Sequence, residues 1–470
     1  MYKTFLRFTL AVKPVLQRIS VRTSPDTDGK SFPCGNYFLS QGQKTEVHAP
    51  GFLEIAEQFR LNSALTCAVY GDTMNFSSSV CGIVAEYNPF HGGHRFHIER
   101  TREMLGEHTM IVCAMSGNFV QRGDFALLDK YARAEMAVRG GADLVLELPL
   151  AAALSSAEGF AQGAVALLHK IGCDTLSFGA ENADISLFLQ AADALNALSL
   201  TGGSRSGLSF AAQRQQELAG RSPAAAELLS SPNNTLGIEY CRALARFPMR
   251  PIALERRGAG HDEAAPSGGF ASASLLRRAL REGNERFCLP YLPEASAEIY
   301  RRERERGGAP VFLPESTLLA LLRSALFRGE LASGTADGFD ERLQSAVFSA
   351  VSFSDAVEKA RTRRFPAARV RRALLRAALG LAPSASPLPQ YARVLALGPR
   401  GRALLRRTDG FPLIVKPSTE KRLPDEMQPA LRLDAFADDL YDLARPVPLP
   451  GGGHYRKTPF YLSEQEGSNQ

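Results

Sequence analysis

Residues 79–97 read SVCGIVAEYNPFHGGHRFH. The first part is a short apolar run with β-branched residues, the pattern of a strand buried on both faces of a parallel sheet. Pro89 ends it, Gly92 and Gly93 let the backbone come close to a ligand, and a helix is expected from about Gly93 to Leu105. Three of the chain's eight histidines, His91, His94 and His97, recur at every third residue across this junction. A metal site, a packed structural cluster and a grip on an anion are the competing readings. H-x-x-H offers two ligands, yet no Cys/His pair with zinc spacing occurs elsewhere in the sequence. Ligands of open α/β sheets bind beyond the carboxyl ends of the strands, where helix N-termini point. The free N–H groups of a first helical turn, with the positive end of its dipole, favour phosphate. His91 and His94 share a face of such a turn and can donate to one polyphosphate, which tilts the reading towards anion binding.

The pattern continues outward from this window. HTMIVCAMSG (108–117), ADLVLELP (142–149), CDTLSFGAEN (173–182) and RPIALERR (250–257) read as further strands. Between them, DKYARAEMAVRGG (129–141), with Asp129 as N-cap, and SSAEGFAQGAVALLHKIG (155–172) read as helices. Such alternation predicts an α/β fold, doubly wound, with a mostly parallel sheet and right-handed crossovers. FASASLLRRALREG (270–283) opens a helix with small hydroxyl residues. Beyond residue 285 strand signals thin out, and a mainly helical C-terminal domain over 285–470 is expected, with a loosely packed, turn-rich tail. The catalytic domain is expected over 74–284. Residues 1–73 read as an atypical extension, because the first 25 residues carry five basic side chains and no acidic one. Met74, about ten residues before the first convincing strand, is where an α/β enzyme of this kind is expected to start.

Composition narrows the class. With 470 residues, 45% hydrophobic and 22% charged, the chain has material for real cores. The net charge of +6 permits a nucleotide or nucleic-acid partner. Of 55 basic residues 45 are Arg and 10 are Lys, which lowers the weight of any single Arg cluster. Seven scattered cysteines without C-x-x-C spacing point to reduced thiols and a cytoplasmic protein. No apolar run is long enough to span a bilayer.

HGGH looks like the H-x-G-H signature of the nucleotidyltransferase superfamily. The longer string GIVAEYNPFHGGHRFH, with MSGNFVQRGDFALLDKYARAEMAVRGGADLVLELP, resembles the bacterial tRNA-Met cytidine acetate ligase family. SFGAEN, SPNNTLGIEY, FPMRP and SASLLRRAL resemble further family segments in the same order. The resemblance implies a ligase that forms acetyl-adenylate from acetate and ATP, with Mg²⁺ carried on the phosphates and elongator tRNA-Met as acceptor. Its product would carry N4-acetylcytidine at the wobble position. It further implies an ATP-binding segment of Val84, Ala85, Glu86, Tyr87, Asn88, Pro89, Phe90, His91, Gly92, Gly93, His94, Arg95, Phe96 and His97. His91 and His94 would be the catalytic pair. Gly179, Asn233, Asn234, Arg256 and Arg257 would complete the nucleotide site, and Ser274 with Arg277 would form a second phosphate motif. Gly92 stands where many relatives carry asparagine, a change a turn tolerates.

Other residues stay open between bland and functional readings. Arg122, Lys130 and Arg133 read either as a solvated helix face or as contacts to phosphate or tRNA. Glu86 reads as a histidine-orienting group, a holder of a magnesium-bound water, or a hydrogen-bonding group of the sheet. Residues 358–376, EKARTRRFPAARVRRALLR, hold eight basic residues and one acidic, a candidate RNA surface with only Phe365 to stack on a base. Two rival functions remain: a different adenylyltransferase acting on a small metabolite or activating acetate for a protein, and a non-catalytic nucleotide-dependent RNA-binding factor.

Overall fold

The computed structural model describes residues 79–197, 210–256, 269–335, 337–406, 408 and 410–463, together with three strands nearer the N-terminus. Those three, Arg7–Lys13, Leu16–Arg22 and Asn36–Leu39, pair antiparallel as a sheet of their own within a unit spanning residues 1–75. Residues 76–470 form a second compact unit.

That second unit is built on β1 (Val80–Ala85), β2 (Met110–Ser116), β3 (Leu144–Leu148), β4 (Thr175–Ala180) and β5 (Arg250–Glu255), all mutually parallel. Their order across the sheet is β5-β4-β1-β2-β3, so the winding reverses between β1 and β4. At such a reversal the connecting segments leave in opposite directions and open a crevice above the strand ends. Side chains alternate between two cores, as a period of two requires. Val112 and Ala114 pack on one face with Leu146 and Leu168, whereas Ile111, Cys113 and Met115 pack on the other with Ile98 and Met136. The helices covering these faces include α1 (Gly92–Leu105), α2 (Lys130–Arg139) and α3 (Ala157–Lys170). The predicted α/β alternation is therefore present, with Asp129 capping α2 by accepting from Tyr131 N at 2.8 Å.

The second half of the chain is mainly helical, and it also returns to the sheet. Ala392–Leu397 (β6), fully buried, runs antiparallel beside β3. The segment from residue 285 onward thus supplies a strand to the central sheet, which the thin strand signals there did not foretell. The tail is not loose either. His454 is buried, Lys457 pairs with Asp129 at 2.8 Å, and Phe460–Tyr461 pairs with β6. Among the described residues no helix is long and apolar enough to cross a membrane.

A buried ionic network holds these parts together. Lys130 Nζ donates to Glu147 at 2.7 and 2.8 Å and to Asp438 at 2.7 Å, on a C-terminal helix, Gln428–Leu443. Burial alone would pull the ammonium pKa down, but Asp438 and Glu147 outweigh it and hold it above its usual value. Arg133, fully buried, donates to the carbonyls of Leu128, Ser116, Gly117 and Glu86. Neither side chain is a surface contact to phosphate or tRNA, as one reading of the sequence had it; the helix face they occupy is internal because β6 and the C-terminal helix cover it. Lys130→Ala removes the cation shared by Glu147 and Asp438, leaving them Arg393 and His454 as remaining partners, and is expected to lower unfolding free energy by about 3 kcal/mol, read from chemical denaturation.

Candidate active site

The β1–α1 turn stands at the winding reversal. After β1 the chain passes Tyr87, whose φ of 46° turns it sharply, and buries Phe90 completely. His91 is the N-cap of α1. Its Nδ1 accepts from Gly93 N at 3.1 Å, and His94 Nδ1 accepts from His91 N at 3.2 Å. This is a reciprocal capping box built from imidazoles instead of the usual hydroxyl and carboxamide or carboxylate. The two rings stack with centroids 3.8 Å apart, and Tyr87 meets His94 edge-on at 4.8 Å.

This arrangement settles the tautomers. Each Nδ1 accepts a backbone N–H, so in the neutral ring the proton sits on Nε2. Burial, reinforced by Arg256 and Arg277, pushes the His91 pKa down to about 3. Burial and then His91 hold His94 well below its ordinary value. At neutral pH the pair therefore presents two uncharged N–H donors. His97 is set apart: its Nε2 meets Ser177 Oγ at 2.8 Å, tying α1 to β4, and burial lowers its pKa to about 4.

A cleft of 390 Å³ opens over the turn. Of the predicted ATP segment, Val84, Ala85, Glu86, Tyr87, Asn88, His91, His94 and His97 line it, joined by Gly179, Asn233, Arg256 and Arg277. Pro89, Phe90, Gly92, Gly93, Arg95, Phe96, Asn234 and Ser274 shape its surroundings. Arg95 is exposed and pairs with Glu99, while Phe96 leans on Phe270. Gly93 is needed because a Cβ there would lie 3.0 Å from His91 Cε1; at Gly92 it would lie 3.5 Å from Tyr291 O, ordinary contact. Arg257 lies outside the described residues.

Asn234 and Ser274 lie beside the cleft, each engaged by a neighbour, and not in its lining. Asn234 Oδ1 accepts from Glu181 N at 2.9 Å, and Glu181 in turn accepts from Ser231 Oγ at 2.7 Å and Asn233 Nδ2 at 2.5 Å. Glu181, part of SFGAEN but not singled out in the sequence, is thus the clamp that joins the end of β4 to the helix Pro232–Leu244. Ser274 Oγ accepts from Arg277 at 3.1 Å and is absent from the lining; Ser272, the N-cap of α4 (Ala273–Arg281), and Ala273 line the cleft instead. Arg277 also donates to Asn88 O at 2.9 Å, joining both phosphate-type helix starts.

Glu86 does not orient a histidine. Its Oε1 accepts from Gln121 N at 2.9 Å, fixing the loop after β2. The basic segment 358–376 is partly spent inside as well. Arg372 donates to Gln121 O at 3.0 Å, its pKa lowered to about 10 by burial, and Arg369 pairs with Asp337 while lying over Phe339. Among the described residues no group of three or more His, Cys, Asp or Glu is placed to hold a metal ion.

The family model for HIGH Nucleotidyl Transferase matches residues 78–450. The tRNA(Met) cytidine acetate ligase of Acetivibrio thermocellus is 33% identical over 394 residues, covering 77% of this chain and 94% of that protein. Its counterpart from Syntrophotalea carbinolica is 38% identical over 346 residues, covering 69% and 81%. The crystal structure of Thermotoga maritima TmcAL bound with alpha-thio ATP superposes with a TM-score of 0.75 at 30% identity, covering 82% of this chain and all of that one. The chain belongs to the tRNA(Met) cytidine acetate ligase family. It is a ligase on a nucleotidyltransferase-like fold.

Two outcomes test this geometry. His91 has a folded pKa of about 3 against an ordinary 6.5, so the unfolded chain binds more protons between those values. Stability is therefore complete above pH 6.5 and is lost as pH falls below it, by about 2 kcal/mol for His91 between pH 7 and pH 5. Thermal melts across that range, with imidazole ¹⁵N spectra showing a persistent Nε2–H form, check it. Gly93→Ala displaces the His91 ring and is expected to weaken ATP binding about tenfold or more, whereas Gly92→Ala stays within about twofold, both by calorimetric titration.

Proposed function

We propose that this chain couples acetate to ATP, releasing pyrophosphate and forming acetyl-adenylate, and then transfers the acetyl group to N4 of the wobble cytidine of elongator tRNA-Met. The observation that carries the reading is the neutral His91–His94 pair, with both Nε2–H groups available at a helix start between Arg256 and Arg277. An acetate oxygen attacks the α-phosphorus in line and the bond to the β-phosphate breaks. Charge gathers on the departing pyrophosphate, where the imidazole donors, the α1 N-terminus and the two guanidinium groups stabilise it. Neutral donors suit this task because they require no proton to be taken up when the nucleotide binds. In the second step the cytidine amine attacks the acetyl carbonyl, loses a proton, and AMP leaves.

A direct transfer, without an acyl-enzyme, agrees with the thiols. The described cysteines are buried and free, and burial pushes Cys113 and Cys241 up to about 12, far from the thiolate needed for attack. Mg²⁺ would arrive on the ATP phosphates and neutralise their charge; Glu86 is the carboxylate among the lining residues, with Oε1 engaged by Gln121 N. The free buried thiols also favour the cytoplasm as the place of action. Relatives bear the name of this activity, and one was crystallised with alpha-thio ATP, which supports ATP as the nucleotide.

His94→Ala removes one donor and half of the capping box. Acetate-dependent exchange of labelled pyrophosphate into ATP is expected to fall about 10²- to 10³-fold. Exchange at the unsubstituted rate would exclude the phosphate-gripping role.

A further inference from the structure

A second pocket opens one helical turn from the cleft, at the other end of the α4 face that carries Arg277. It has a volume of 440 Å³, and Arg122, Asp124, Arg281, Phe312, Glu315 and Arg371 are among its lining. Arg277 and Arg281 are four residues apart, hence neighbours on that face, and Arg122 lines both cavities.

Its parts come from four stretches of chain locked to one another. Arg281 donates to Asp124 Oδ2 at 3.2 and 3.3 Å, holding the helix to the loop after β2. Gly123 has φ of 75°, and a Cβ there would sit 2.6 Å from Arg371 Cβ, so this loop rests directly on the helix Ala367–Ala378. Val311, fully buried, donates its N–H to Leu127 O at 3.0 Å and thereby fixes the segment carrying Phe312. The carboxylates are committed: Asp124 to Arg281, and Glu315 to Ser354 N and Oγ at 2.7 and 2.6 Å. Arg371 has no ion-pair partner among the described residues. Phe312 keeps 48% of its surface exposed beside the pocket, with Arg281 at 6.0 Å from its ring.

A rigid, half-exposed aromatic ring among guanidinium groups is how proteins hold an unpaired base and its flanking phosphates. We propose that this pocket receives a splayed-out base of the single-stranded RNA loop, stacked on Phe312, with Arg371 on an adjoining phosphate. The proposal rests on the acetyl-transfer reading above. It accounts for a pocket that shares Arg122 with the cleft and lies one helical turn from Arg277. A protein acid in the pocket would engage the arginines but draw nothing from the exposed ring.

The test compares steady-state acetylation of tRNA-Met transcript by the unsubstituted chain, Phe312→Ala, Phe312→Tyr and Arg371→Gln, each checked for an unaltered melting profile. Phe312→Ala is expected to raise the KM for tRNA about tenfold or more while the KM for ATP moves less than about twofold, and Phe312→Tyr to restore it. Arg371→Gln is expected to reduce the slope of log KM for tRNA against log salt by about 0.7, one single-strand phosphate. Acetylation by the unsubstituted chain with the tRNA KM unmoved in Phe312→Ala would overturn the pocket and leave the function standing. No acetylation of any tRNA by the unsubstituted chain would overturn the function and the pocket with it.

Discussion

The start of α1 carries a constraint on which the whole site depends: its first backbone N–H groups are satisfied by imidazole nitrogens. A serine or aspartate could cap the helix equally well. An aspartate would place negative charge where a polyphosphate must lie, and a serine would spend its oxygen on the cap without reaching further. An imidazole accepts with Nδ1 and still has Nε2–H on its far side, so one ring serves the helix and the ligand together. Burial disfavours protonation of either ring, and the nearby Arg256 and Arg277 add to this.

The loop after β2 depends on a second constraint, the fully buried Arg133 that gathers four carbonyls. With Glu86 accepting from Gln121 N, and Arg372 donating to Gln121 O, the loop is held from both the sheet and the helical half. Lys130 extends this through Glu147 and Asp438 to the C-terminal helix. Buried ion pairs of this kind add little net stability, yet removing one partner is severe. They define where the helical half sits, and so where its arginines and Phe312 stand relative to the cleft.

Much of this was legible from local pattern. The strands β1 to β4 and the helices between them follow apolar periodicity closely enough that their order could be read directly. The strand Ala392–Leu397 was not, because a six-residue apolar run amid helical segments reads equally as helix. The basic residues misled for a related reason. Lys130 and Arg133 lie on a helix whose polarity suggests solvent, and only the return of the chain over that face shows them to be internal. Glu181 and Ser272 gave no separate signal, since a capping or clamping role is visible only when its distant partner is known.

The sequence by itself determined that a tight turn opening a helix, with His91 and His94 in it, follows the first strand of a parallel sheet, because glycine, proline and histidine spacing act within a few residues of chain. It also carried the family's motifs in order from Cys81 to Arg278. Only the tertiary structure decided which nitrogen of His91 and of His94 bears the proton, which arginines face the cleft, and which charges are consumed inside. Those properties depend on burial and on partners up to hundreds of residues away, such as the 308-residue separation between Lys130 and Asp438. Local pattern has no term for such contacts; packing supplies it.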